Sequence, residues 1–112
     1  MNIKELAENI GLEKEEYLEL VELFVETGKS DMDKLQSAID EKNVEKVATA
    51  SHSLKGASGN LGFEEIFEVA KKINDEALEG SLKGTPESAQ VLKEKLNAIA
   101  SLLLPDTNIY IK

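Results

Sequence analysis

Ser51-His52-Ser53-Leu54-Lys55-Gly56-Ala57-Ser58-Gly59-Asn60-Leu61-Gly62 holds the only histidine of a 112-residue chain. Val44, Val47, Ala48, Ser51, Leu54, Ser58 and Leu61 recur at helical steps and trace one mostly apolar stripe through it. At roughly 100° per residue, His52, Lys55, Gly56 and Gly59 fall together on a separate side of the same helix. The spacing therefore predicts a helix over 44–61, with Asn43 as its N-cap and Gly62 as its C-terminal stop. One face is offered to a core. The other carries an imidazole, an ammonium and two positions without side chains.

The glycines carry the most information. Inside a helix each costs roughly 1 kcal/mol relative to alanine, so a helix built only for packing would gain by replacing them. Gly56 and Gly59 lie one and two turns beyond His52 and leave its imidazole open to a large partner. A lone histidine is by default an ordinary surface or core residue. The cleared face, with a lysine three residues on, argues for more than that here.

Outward from this helix the pattern stays helical. Residues 2–10 read as a short amphipathic helix through Ile3, Leu6, Ala7 and Ile10, ended by Gly11. Glu13 to about Thr27 form a second helix, with Tyr17, Leu20, Val21 and Phe24 on one face. Gly28 is expected to break or kink it, and Ser30 to cap a following segment through Met32, Leu35 and Ile39; one bent helix is the alternative. After the 44–61 helix comes one over about 64–79, packing through Ile66, Phe67, Ala70, Ile73 and Ala77, with Phe63 at its start. Gly80 to Gly84 form a loop. Thr85-Pro86 supplies an N-cap and a proline at the first helical position, and Ala89, Leu92, Leu96, Ile99 and Leu103 carry the last helix to Pro105. The expected fold is all-α: an antiparallel four-helix bundle with one or two additional short N-terminal helices. The bundle domain is expected over 1–105 and a tail over 106–112, from which Ile109, Tyr110 and Ile111 have the character to dock back.

Composition narrows the function. Thirteen lysines and arginines against 22 acidic residues leave a net charge of −9, which opposes nucleic-acid binding and docking on an anionic membrane. The absence of cysteine excludes a disulfide scaffold and thiolate metal sites. No targeting segment or membrane span is read in the sequence, so a cytoplasmic location is expected. Three motifs fall away. Gly28-Lys29-Ser30 resembles the end of a phosphate-binding loop, but Leu23 stands where its first glycine belongs. Asp31-x-Asp33 opens like a calcium loop, but Gln36 and Lys42 occupy its glycine and glutamate places. A di-iron bundle site needs two Glu-x-x-His motifs, and one histidine cannot supply them.

His-x-Leu-Lys-Gly, followed by Leu-Gly nine and ten residues after the histidine, resembles the histidine-containing phosphotransfer (HPt) domains of bacterial two-component phosphorelays. Those places hold His52, Leu54, Lys55, Gly56, Leu61 and Gly62, and the likeness in layout covers nearly the whole chain. The resemblance implies a phosphoryl group accepted on His52. A phosphoryl-accepting histidine needs one exposed, unprotonated ring nitrogen and a nearby cation; Lys55, one turn on, is placed to supply the cation. Gly56, with Gly59 in support, keeps the approach open. In the resembling family a glutamine or glutamate 22 residues after the histidine often orients the ring. Here that place is Asn74, shorter by a methylene, so that a water can intervene. Lys71, one turn before it, adds positive charge to the same cleft.

Nothing in the chain suits ATP or a resident metal, and phosphoryl transfer depends on charge neutralisation by metal and cations. The resemblance therefore implies partners, response-regulator receiver domains or a hybrid histidine kinase, that bring both Mg²⁺ and the aspartate. The implied role is a phosphorelay intermediate, a phosphoprotein carrier working as a monomer rather than an autonomous enzyme. The alternatives are a helical interaction module without transfer, and the HPt domain of a larger hybrid kinase.

Overall fold

The computed structural model describes residues 2–103. Five helices occur among them: α1 (Ile3–Asn9), α2 (Lys14–Asp40), α3 (Val44–Leu61), α4 (Glu64–Leu78) and α5 (Thr85–Leu102). α2 to α5 form an antiparallel four-helix bundle in which α3 packs on both α2 and α4, while α5 closes the ring against α4 and α2. The antiparallel sense is read from residue pairs: Tyr17 with Leu61 and Asp31 with Ser53 across α2 and α3, then Asn74 with Ala48 across α4 and α3. α1 lies on α2 and is the one short N-terminal helix. The tail expected over 106–112, with Ile109, Tyr110 and Ile111, lies outside the described residues.

The core is the sum of the apolar stripes. Tyr17, Val21, Leu35, Val47, Leu54, Ala70 and Leu92 are fully buried. α3 begins as expected: the Asn43 side chain accepts the Lys46 amide at 3.0 Å. It ends at Gly62, whose φ of 81° is a left-handed conformation that favours glycine. From there the Gly62 and Phe63 amides return to the Gly59 and Ser58 carbonyls, which closes the helix in a Schellman motif. The buried Tyr17 hydroxyl donates to the free Leu61 carbonyl at 2.5 Å.

Two local expectations are corrected. α2 runs unbroken from Lys14 to Asp40, so Gly28 does not interrupt it and Ser30 caps nothing. The reason lies in α5: a Cβ on Gly28 would stand 3.4 Å from Leu96 Cδ2, and the buried row Val21, Phe24, Val25, Gly28, Met32 and Leu35 stays in register only if the helix continues. The second correction is at α5, where Thr85 is not the N-cap but the first helical residue. Its hydroxyl donates to Glu76 Oε1 at 2.7 Å, and the same carboxylate accepts the Gly84 amide at 3.0 Å. The positive end of α5 is thus neutralised by a carboxylate from α4.

Alanine at position 28 adds a methyl at ordinary contact distance and removes glycine's helix penalty. Gly28→Ala is therefore expected to raise stability by up to about 1 kcal/mol, whereas Gly28→Leu overpacks the α2–α5 seam and costs about 1–3 kcal/mol. Urea denaturation measures both. Burial also pushes the Tyr17 phenol above its ordinary pKa of 10.0. The folded state then holds that proton more tightly than the unfolded chain. The corresponding stability is complete below pH 10 and lost as pH rises through the folded value. Thermal melts of wild type and Tyr17→Phe should converge on the alkaline side, with the variant less stable by about 1 kcal/mol at neutral pH.

Candidate functional site

His52 stands near the middle of α3 on its exposed side. The stripe Val47, Ala50, Ser51, Leu54, Ser58 and Leu61 is buried on the other; Ala50 is the member that periodicity alone omitted. Two serines sit in this stripe because their hydroxyls bond back along the helix. Ser51 donates to the Val47 carbonyl and Ser58 to the Leu54 carbonyl, each at 2.7 Å. Neither brings an unsatisfied polar group into the core. Among the described residues the His52 imidazole has no hydrogen-bond partner, and Lys55, half-buried one turn on, enters no ion pair.

The two glycines beside His52 differ. Among the described residues a Cβ on Gly56 would meet nothing within 4 Å. A Cβ on Gly59 would press on Phe67, 3.1 Å from its Cδ1. Gly59 thus lets α4 approach α3, and Gly56 alone leaves space with no neighbour to fill it.

Asn74 is buried, 4% exposed, and lies on the α3–α4 seam where the sequence placed it. Its amide nitrogen donates to the Ala48 carbonyl at 2.8 Å and to Ser51 Oγ at 3.4 Å. No hydrogen bond joins it to the imidazole among the described residues. The short side chain reaches the near edge of α3 one turn before His52, and the carbonyl it holds is the i−4 acceptor of the His52 amide. Asn74 therefore braces the backbone that carries the histidine. Lys71 is paired with Asp75 at 2.9 Å; the hydrogen bond to Asp75, its charge and that of Glu68 all raise the lysine pKa. The structure thus joins Lys71 to its own helix rather than to any group at His52.

One contact escaped the sequence reading. Ser53, next to the histidine, donates to Asp31 Oδ2 on α2 at 2.7 Å. No local signal could have found it, because it depends on the register of α2 against α3. Among the described residues no group of three or more His, Asp or Glu side chains is arranged to hold a metal ion, and no helix is long and apolar enough to cross a membrane.

The family model of the Hpt domain matches residues 19–102, from α2 to the end of α5. The chain belongs to the Hpt domain family. Membership gives it a role in histidine phosphotransfer within two-component phosphorelays. The search of curated proteins found no match. Among solved structures, the Hpt domain is similar to histidine-containing phosphotransfer protein B (HptB) from Pseudomonas aeruginosa PAO1, with a TM-score of 0.81. The likeness covers 92% of this chain and 90% of that chain at 21% identity, and what the two share at that identity is the fold.

The different surroundings of the two glycines yield a paired test. Gly56→Ala should raise stability by about 1 kcal/mol, the full helix-propensity gain. Gly59→Ala should gain less, because its methyl displaces the Phe67 ring. Equal shifts in the urea midpoint of the two variants would contradict the crowding at Gly59.

Proposed function

We propose that the chain is a phosphorelay intermediate in which His52 accepts a phosphoryl group from a receiver-domain aspartate and passes it to a second one. The observation that carries this reading is the exposed His52 imidazole beside the empty volume at Gly56, in a chain of the Hpt family with no other histidine. Attack needs a bare ring nitrogen with an open line of approach, and a large partner needs room to bring its own active site within bonding distance. The empty volume at Gly56 offers that room.

In the forward step an unprotonated ring nitrogen of His52 attacks phosphorus. The N–P bond forms as the acyl-phosphate P–O bond breaks, and the aspartate leaves as a carboxylate. The return step reverses these bonds on the second receiver. Lys55 is the nearest cation in sequence and steadies the negative phosphoryl group on the histidine. Lys71 reaches that group only by leaving Asp75, so its contribution is secondary. Asn74 acts through the Ala48 carbonyl and Ser51. Gly59 serves indirectly, by seating α4 close enough for Asn74 to reach. Mg²⁺ comes with the receiver, whose aspartate chemistry uses it.

Incubation with a phosphorylated receiver and Mg²⁺, followed by mass spectrometry at neutral or alkaline pH to spare the acid-labile phosphoramidate, should find phosphate on His52 and none in His52→Gln. Lys55→Ala should still be phosphorylated, roughly tenfold more slowly, the loss expected for one hydrogen bond to a charged group. Gly56→Leu should keep its helical circular dichroism and lose transfer. No phosphate on His52 from any of several receivers would favour a pure interaction module.

A further inference from the structure

Half of the ten serine and threonine side chains inside these helices bond back to their own backbone, and of the ten only Ser53 and Thr85 donate to another helix among the described residues. Thr27, Thr49, Ser51, Ser58 and Ser101 each donate to the carbonyl four residues earlier. Ser53 does not: its hydroxyl crosses to the Asp31 carboxylate on α2. The two residues line one end of an open groove of about 610 Å³ whose walls also include Lys34, Ala38, Thr49 and Ala50. Val47 and Leu54 of α3 and Leu35 of α2 are buried on the inner side of this seam, while Ser53 is exposed and Asp31 half-buried at its outer edge. There a charge-assisted O–H···O⁻ contact of 2.7 Å joins the two helices.

On the opposite flank Asn74 holds Ala48 and Ser51 from α4. Ser51 and Ser53 lie about 100° to either side of His52 around the helix axis. The histidine is thus bracketed by one polar tether to α4 and one to α2. Two tethers on opposite flanks resist rotation of the helix about its axis, and that rotation sets the direction in which the imidazole points.

We propose that the Ser53–Asp31 hydrogen bond is a positioning element of the phosphotransfer site, fixing the rotation of α3 against Asn74 so that the His52 ring faces the incoming phosphoryl group. The inference rests on the proposed function of His52 and adds a residue pair outside the histidine motif. Asp31 and Ser53 act here through the backbone of α3, and neither needs to touch the phosphoryl group.

The test compares Ser53→Ala, Asp31→Ala, their double variant and Asp31→Asn. The probe is a receiver domain charged with acetyl phosphate in Mg²⁺. Both single alanine variants should transfer roughly tenfold more slowly at saturating receiver, with the half-saturating concentration unchanged, as misorientation without loss of docking predicts. The double variant should be no slower than either single one. Asp31→Asn, whose amide oxygen still accepts the serine hydroxyl, should restore the wild-type rate. Wild-type rates in both alanine variants would overturn the proposal, as would an Asp31→Asn variant as slow as Asp31→Ala, which would place the effect in the charge. A second reading needs no transfer. In the unphosphorylated protein, backbone amide chemical shifts of His52 to Gly56 should move in Asp31→Ala and return in Asp31→Asn. Unmoved shifts in Asp31→Ala overturn the positioning role even if no receiver loads the wild type, an outcome that would itself count against His52 as acceptor.

Discussion

What the surface of this bundle presents depends on the rotation of α3 about its own axis. A turn of about 100°, one residue's worth, would draw Leu54 out of the core and set a serine where His52 stands. The main restraint is burial. Val47 and Leu54 are fully enclosed and Leu61 nearly so, and each such side chain resists exposure by about 1.5–3 kcal/mol. Ser51 and Ser58 complete the stripe without a desolvation penalty because their hydroxyls are satisfied within the helix. Once that face is inside, the opposite face has to be outside, and it is the one that bears His52.

The Gly62 turn extends the restraint to α4. Its left-handed backbone reverses the chain and delivers Phe63 into the core, where the ring lies 6.3 Å from Tyr17 and 5.2 Å from Phe24, centroid to centroid. Tyr17 in turn closes the C-terminal end of α3 through the Leu61 carbonyl. With that corner held, α4 runs back along α3 close enough for Phe67 to lie over Gly59 and for Asn74 to reach Ala48. The brace behind the histidine is therefore a consequence of a turn ten residues away.

This division explains what could be read from the sequence. The limits of α3, its buried stripe and the exposed face of His52 are set by local signals: a capping asparagine, a terminal glycine and a 3.6-residue period. They are legible without knowledge of any other helix. Gly28 misleads because Leu96 on α5, far along the chain, decides whether α2 continues. Thr85 misleads because a carboxylate from α4 does the capping that a threonine usually does for itself. At the site, the position of Asn74 on the seam was legible and its partner was not, since one methylene of reach separates a ring contact from a backbone contact. Asp31 and Ser53 carry no local signature at all, because helix register alone brings them together.

The three helical glycines show how physical context separates fold from function. Gly28 faces Leu96 and Gly59 faces Phe67, so at each the missing side chain is answered by a neighbour that uses the space. Gly56 has no such neighbour among the described residues. It carries the same helix penalty of about 1 kcal/mol with no contact among the described residues to offset it. A local rule broken without internal compensation points to a requirement outside the molecule. Under the function proposed for His52, whose imidazole has no partner among the described residues, that requirement is room for the body of a phosphoryl donor.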